Sequence, residues 1–194
     1  MSIPFLLDSA LYFRGGVMGH LFVIVVVAGG WLHAAPLISP FDAIKQSYPQ
    51  KGVTITKKNL LLKKKEAAEV SQRAKVKLQS KIYRIFKVND ANTTRAFGVL
   101  ITKKVRSKNA AILYLIETQN SSIESIEIVA FHEPLEYVPS ATWINQFQGK
   151  TQEDALRVGN NIPTITGATM SARTLTDSAR LALAIYEIVL KERP

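Results

Sequence analysis

The sequence lacks cysteine, which removes several classes of chemistry at once. Without thiols the chain cannot form disulfides, ligate an iron–sulfur cluster through thiolates, use a thiol nucleophile or attach a c-type haem through a C-x-x-C-H segment. Histidine is scarce as well, with His20, His33 and His132 the three present. The first two lie in or beside an apolar N-terminal segment and the third stands alone, so we expect no histidine-rich metal site.

Patterns typical of several enzyme classes are also missing. No G-x-G-x-x-G follows a strand-like run, so the nicotinamide dinucleotide fingerprint is absent, and no acid–base pair or catalytic triad stands out. The chain has no internal repeat and no long low-complexity tract. Its 194 residues suffice for one domain with a core and a short additional segment.

The formal net charge of +10 comes almost wholly from one region. Between Lys51 and Asp90 there are 12 lysines and arginines against 3 acidic residues. Such a region is either a solvated helix face or a surface for an anionic partner, such as a membrane surface or an acidic redox protein. No recognised nucleic-acid-binding motif accompanies the charge, so we do not expect nucleic acid as a partner.

Residues 1–39 differ in kind from the rest and predict an export segment. Leu21–Leu32 (LFVIVVVAGGWL) is an apolar run with Arg14 before it. It is shorter than the roughly 20 residues that cross a bilayer comfortably, and it matches the apolar region of a secretory signal peptide. A buried core helix is the alternative, but the valine-rich composition and the N-terminal position argue against it.

Two fates of this segment stay open. Ala34 and Ala35 offer a cleavage site, whereas residues 17–38 taken as one span make an uncleaved membrane anchor of adequate length. Because Arg14 tends to stay inside, both alternatives leave residues 40–194 outside the cytoplasm, in the periplasm or at the extracytoplasmic face of the membrane.

Residues 40–194 predict an α+β domain in which a small antiparallel sheet is flanked by helices. Runs rich in β-branched and aromatic residues predict strands, and apolar residues at three- and four-residue spacing predict helices. The predicted strands are residues 52–58, 81–88, 95–105, 110–117 and 123–131. The predicted helices are residues 40–49, 60–78, 140–149 and 175–190. We expect Ser140 to cap the third helix, and Thr174 or Thr176 to cap the last.

Thr164–Thr174 (TITGATMSART) leads into that last helix. A helix N-terminus presents unpaired backbone N–H groups and a partial positive charge, which together favour a phosphate. Gly167 and Ala168 let another group approach the backbone closely, and the Thr169 hydroxyl lies beside them. The residues alone leave two interpretations open, a capped helix start or a phosphate-binding turn.

The T-G-A-T segment, followed by Met-Ser, resembles the S/T-G-A-T motif of the FMN-binding domain family. This family includes the G subunit of Rnf complexes and the C subunit of sodium-translocating NADH:quinone oxidoreductase. Its last motif threonine carries FMN through a phosphoester bond, made by a dedicated flavin transferase from FAD with magnesium. The resemblance implies Thr169 as the attachment point. The other residues that it implies around the cofactor are Thr166, Gly167, Ala168 and Ser171.

Two upstream segments extend the resemblance in the family's order, over roughly residues 95–190. Phe131–Tyr137 (FHEPLEY) follows the last predicted strand, where the family has a His/Glu-Pro-type loop near the flavin. His132 and Glu133 are therefore implied as cofactor contacts, with an ordinary loop hydrogen bond as the alternative for His132. Trp143–Thr151 (WINQFQGKT) resembles the family's W-x-x-x-F-x-G-K segment, whose two aromatic residues at i, i+4 spacing favour core packing over flavin stacking.

One position departs from the family's motif. The family often has Asp six residues before the modified threonine, and that place holds Pro163 here. Covalent and non-covalent FMN binding therefore both stay open.

The resemblance implies an exported, membrane-associated flavoprotein that relays electrons within a respiratory or redox chain. It is more an electron-transfer subunit than a stand-alone enzyme. Its implied partners are the flavin transferase during maturation and a membrane-bound or soluble redox protein. The alternatives are a non-covalent FMN-binding reductase component and a non-redox protein that binds a membrane surface.

Overall fold

The computed structural model describes residues 38–91 and 93–193, which form an α+β fold around a five-stranded antiparallel sheet. The predicted α+β class and antiparallel sheet are thus confirmed. The export segment predicted in residues 1–39 lies outside the described residues except for its last two. Within the described ranges, no helix has both the length and the apolar composition needed to cross a membrane.

The chain builds the sheet as a meander and adds helices before, within and after it. The strands are β1 (Val53–Leu61), β2 (Ile82–Asp90), β3 (Thr93–Lys104), β4 (Asn109–Glu117) and β5 (Ser122–Phe131). The helices are α1 (Pro40–Ser47), α2 (Lys64–Ala74), α3 (Ala141–Asn145) and α4 (Thr169–Ile185), which continues into a π-helical turn, Tyr186–Leu190. Each strand pairs with the next along the chain, so β1 and β5 lie at the two edges.

Successive side chains along a strand point to opposite sides of the sheet, and apolar side chains cover both of its faces. On the first, which we call the α4 face, α2 and α4 pack over side chains such as Tyr83, Ile85 and Tyr114. On the second, the α1 face, Ile44 of α1 joins a smaller cluster that includes Phe86. Most of the core therefore lies on the α4 face, and α4 is its central helix.

The boundary between β1 and α2 differs from the prediction. The sequence predicts a helix over residues 60–78, but Leu60 and Leu61 belong to β1 and pair with β2. Leu60 packs against the core, Leu61 points to solvent and Leu62 is buried. This in–out–in pattern is that of a strand, and burial of alternate leucines against the sheet outweighs their helix propensity.

The start of α4 also differs from the prediction. The helix begins at Thr169, so Thr174 and Thr176 are not caps but buried residues inside the helix. The Thr176 hydroxyl donates to the carbonyl of Ala172 at 2.7 Å. Because hydroxyl residues can bond the carbonyl four residues back, they fit inside a helix that packs on a sheet. The T-G-A-T segment is consequently the helix start itself.

Gly98 of β3 provides a test of the packing under α1. A Cβ at this position would lie 3.1 Å from Leu113 Cδ1 and 3.2 Å from Phe86 Cβ. We expect Gly98→Val to overpack this face and to lower the free energy of unfolding by about 1–3 kcal/mol, measured by chemical denaturation. Thr102→Val, at an exposed position of the same strand, should change it by less than about 0.5 kcal/mol. Equal stability of the two variants would contradict the close packing.

Candidate functional site

The T-G-A-T segment forms a turn that is partly exposed to solvent and partly buried. Gly167 has a φ of 79°, a left-handed conformation that favours glycine, and an added Cβ there would meet no atom within 4 Å. Thr166 beside it is exposed, whereas Ala168 is buried. The carbonyl of Ala168 accepts a hydrogen bond from the N–H of Ala172 at 3.1 Å, which starts α4. Another group can therefore approach the backbone at Gly167.

Thr169 is the first residue of the 17-residue helix α4, and it is partly exposed. Its Oγ1 donates to the carbonyl of Ile165 at 3.3 Å, a long hydrogen bond that ties the helix start to the preceding loop. In the described part of the chain no side chain caps α4. Since the first N–H groups of a helix have no intrahelical acceptors, the Thr169 hydroxyl lies where donors and a partial positive charge collect.

Ser171 lies in the first turn of α4 and is 1% exposed. Its hydroxyl has no hydrogen-bond partner among residues 38–91 and 93–193. Buried hydroxyls are usually hydrogen-bonded, so an unpaired one is unusual. Because Ser171 faces the core, two residues after the partly exposed Thr169 and therefore on the opposite side of the helix, its hydroxyl does not identify a ligand site.

Aromatic residues of the W-x-x-x-F-x-G-K segment hold the loop that precedes this turn. Ser140 caps α3 as predicted, accepting from the N–H of Trp143 at 3.3 Å. The Trp143 indole N–H donates to the carbonyl of Pro163 at 3.0 Å, and its ring meets Phe147 edge-on with centroids 5.3 Å apart. Trp143 and Phe147 are both buried, so they are core residues. Pro163, at the place of the family's Asp, anchors the loop through its carbonyl.

Glu133 is engaged with a different part of the fold. Its buried carboxylate accepts the backbone N–H groups of Arg106, Ser107 and Lys108 at 3.1, 2.6 and 2.7 Å. These bonds, that from Lys108 above all, lower the pKa of Glu133 because they stabilise the charged form. Glu133 thereby closes the β3–β4 turn.

His132 precedes Glu133 and has an exposed side chain. Its backbone N–H donates to the carbonyl of Asn109 at 3.2 Å, which continues the pairing of β5 with β4. Of the predicted site residues, the structure thus brings five together at the start of α4 and places His132 and Glu133 on a separate loop. Among the residues described, no hydrogen bond joins that loop to the T-G-A-T segment.

A cleft of about 530 Å³ lies alongside α4, and the sequence interpretation did not include it. Arg173 and Thr176 of its lining lie four and seven residues after Thr169, so they occupy the same side of the helix. Asp177 and Arg180 of α4 also line the cleft, and the rest of the lining comes from the end of α2 and from residues 152–158. Its basic residues are Arg73, Lys75, Arg157, Arg173 and Arg180, and its acidic residues are Glu153, Asp154 and Asp177.

Arg180 has a structural role within this cleft. Its Nε donates to the carbonyl of Ala74 at 2.9 Å, and its NH2 group donates to the carboxylate of Asp177 at 2.7 Å. Its NH1 group donates to the carbonyl of Leu156. Arg180 therefore joins α2, residues 152–158 and α4, whereas Arg157 and Arg173 are exposed at the rim.

Comparisons of the chain with family models, with curated proteins and with solved structures found no match. Within the described residues, no group of three or more histidine, aspartate and glutamate side chains is arranged to hold a metal ion. The functional interpretation therefore depends on the geometry at the start of α4 and on the resemblance of its motif.

The role of Glu133 in the β3–β4 turn predicts a pH-dependent contribution to stability. Because the pKa of Glu133 is lowered from its ordinary value of 4.5, its stabilising contribution is present above the unfolded-state pKa and is lost as the pH falls through the folded-state value. We expect Glu133→Gln to be less stable than the wild type at pH 7, with a difference that shrinks as the pH falls below about 4.5 in chemical denaturation.

The matched control is Glu136→Gln, because Glu136 is an exposed carboxylate three residues further on. It should change the free energy of unfolding by less than about 0.5 kcal/mol. A difference between wild type and Glu133→Gln that stays constant with pH would contradict the assignment of charge-assisted bonds in this turn.

Proposed function

We propose that this domain carries FMN at the amino-terminal end of α4 and relays electrons in a respiratory or redox chain outside the cytoplasm. The observation that carries the proposal is the position of Thr169. It places a partly exposed hydroxyl at the first residue of a 17-residue helix, directly after a turn that is open at Gly167. The resemblance to the S/T-G-A-T motif supports the same residue.

The residues at this turn fit a phosphate group. A phosphoester on Thr169 Oγ1 would stand at the positive end of the α4 dipole, next to N–H groups that lack intrahelical acceptors. Its formation would cost only the 3.3 Å hydrogen bond to Ile165. Covalent attachment at Thr169 therefore requires no rearrangement of α4.

The cleft beside α4 has room for the rest of a cofactor of this size. None of the five residues at the helix start lines it, and Arg173 is the lining residue of α4 that comes first after Thr169. Its volume of about 530 Å³ falls within the roughly 300–1,000 Å³ of typical ligand sites. Arg173, one helical turn from Thr169, complements the charge of a phosphate. We therefore propose Thr169 and Arg173 as the residues that hold the phosphate end.

FMN, when bound, supplies the transfer of one or two electrons. The chain contributes attachment and positioning, because no constellation of acid, base and nucleophile stands near the start of α4 in the described residues. This favours an electron-transfer subunit over an enzyme with its own substrate. Arg73 and Arg157 at the rim of the cleft fit an acidic redox partner, since complementary charge accelerates encounter.

Non-covalent FMN binding is the second candidate, and Pro163 is the observation in its favour. If the flavin transferase requires the acidic residue that the family has at this place, the same turn would bind the FMN phosphate without a bond to Thr169. The protein would then act as the flavin-binding component of a reductase.

Substitution of Thr169 tests the attachment. The full chain is expressed with a flavin transferase, denatured, and examined by fluorescence in the gel and by mass spectrometry. We expect the wild type to keep its flavin fluorescence and to gain the mass of FMN less one water, and Thr169→Ala to lose both. Thr164→Ala, which removes an exposed hydroxyl five residues earlier, is the matched control and should stay labelled.

The outcomes separate the two candidates. Unchanged covalent flavin in Thr169→Ala would place the attachment elsewhere. Flavin that copurifies with the native wild type but is released on denaturation, and that Arg173→Glu weakens, would support the non-covalent site. A native wild-type protein that carries no flavin, whether covalently or non-covalently bound, would overturn the proposal.

A further inference from the structure

The α1 face of the sheet leaves an exposed apolar pair beyond α1. By strand alternation, Leu61 of β1 and Ile82 of β2 point to this face, because their neighbours Leu60 and Tyr83 pack on the α4 face. The two residues are cross-strand partners in the register of β1 with β2. They are 64% and 61% exposed, the largest exposed fractions among the large apolar side chains described. Exposed apolar side chains that adjoin each other indicate an interaction surface.

Two basic residues share this face with the pair, and the four together form what we call the Leu61–Ile82 surface. Lys57 of β1 and Arg84 of β2 are exposed, and strand alternation points them to the same side as Leu61 and Ile82. The surface therefore combines exposed apolar side chains with positive charge.

We propose that the Leu61–Ile82 surface lies against an anionic lipid membrane. Two protruding apolar side chains gain by entering the headgroup region, and Lys57 and Arg84 are attracted to anionic lipids while their stems cover apolar area. The described chain also enters the fold on this face, since Ile38 packs against the cluster under α1. In the sequence, the apolar run Leu21–Leu32 comes shortly before it.

This membrane contact does not depend on a bound flavin. The cleft and α4 lie on the opposite face of the sheet, so a domain resting on its α1 face keeps the cleft directed to water. An acidic protein is a less fitting occupant, because it would pair with the cations and leave Leu61 and Ile82 without an apolar environment.

Single cysteines give a direct test, because the natural chain has none. Full-length Leu61→Cys and Ile82→Cys are labelled with an environment-sensitive fluorophore and mixed with phosphatidylcholine vesicles, with or without an equal part of phosphatidylglycerol. The vesicles contain lipid-borne nitroxide quenchers. Ala155→Cys, an exposed position in the cleft on the opposite face, is the control. We expect severalfold stronger quenching at the first two positions than at the control in phosphatidylglycerol vesicles. Equal quenching at all three positions would overturn the proposal.

Charge reversal at this surface tests the lipid specificity. In the Leu61→Cys background, Lys57→Glu with Arg84→Glu should lower the affinity for phosphatidylglycerol vesicles about thirtyfold or more. The matched control makes the same change of net charge at the cleft on the other side, with Arg73→Glu and Arg157→Glu. Circular dichroism confirms that both variants are folded. If both double variants lose the same affinity, or if neither does, the membrane contact is not at this surface.

Discussion

The candidate site depends on the hydrogen bonds that the guanidinium of Arg180 makes. The guanidinium joins the carbonyl of Ala74 at the end of α2, the carbonyl of Leu156 and the carboxylate of Asp177 on α4. Asp177 in turn accepts from Lys103 of β3 at 3.3 Å. Hydrogen bonds with a charged partner are worth about 1.5–3 kcal/mol each, and one side chain makes three of them here. The position of α4, and with it the turn at its start, follows from this network and from the apolar packing beneath.

The sequence predicted the five strands well because each one alternates or runs apolar between turn residues, and burial acts directly on that pattern. It predicted the helix starts less well. Leu60–Leu62 have good helix propensity, yet pairing with β2 and alternate burial make them the end of a strand and the start of a connection. The hydroxyls of Thr174 and Thr176 are of the kind that caps a helix. Both residues are instead buried inside α4, which begins earlier, at Thr169. In both places contacts distant in sequence outweighed the local signal.

Some residues of the candidate site are adjacent in the sequence, whereas others are brought together only by the fold. The T-G-A-T segment is contiguous, so its sequence was sufficient to bring its residues together. The cleft joins Arg73 to residues about 80 to 110 positions later, and only the spacing of Arg173 from Thr169 gave a local signal for it. Glu133 is the opposite case: its loop suggested a cofactor contact, but its carboxylate already accepts three N–H groups from the β3–β4 turn. That turn lies about 25 residues earlier in the chain, so the sequence of the loop around Glu133 does not indicate this contact.

The basic residues that are clustered in one region of the sequence lie on two different faces of the fold. Between Lys51 and Asp90 the chain carries most of its net positive charge, and the fold distributes the basic residues over two faces. Lys57 and Arg84 project from the α1 face around the exposed apolar pair, whereas Arg73 lines the cleft on the α4 side. Screening at physiological salt limits the reach of exposed charges to about 8 Å, so the two groups act as separate fields across the sheet. A lipid surface and an acidic redox protein would then not compete for the same cations, and one domain could be bound to both at once.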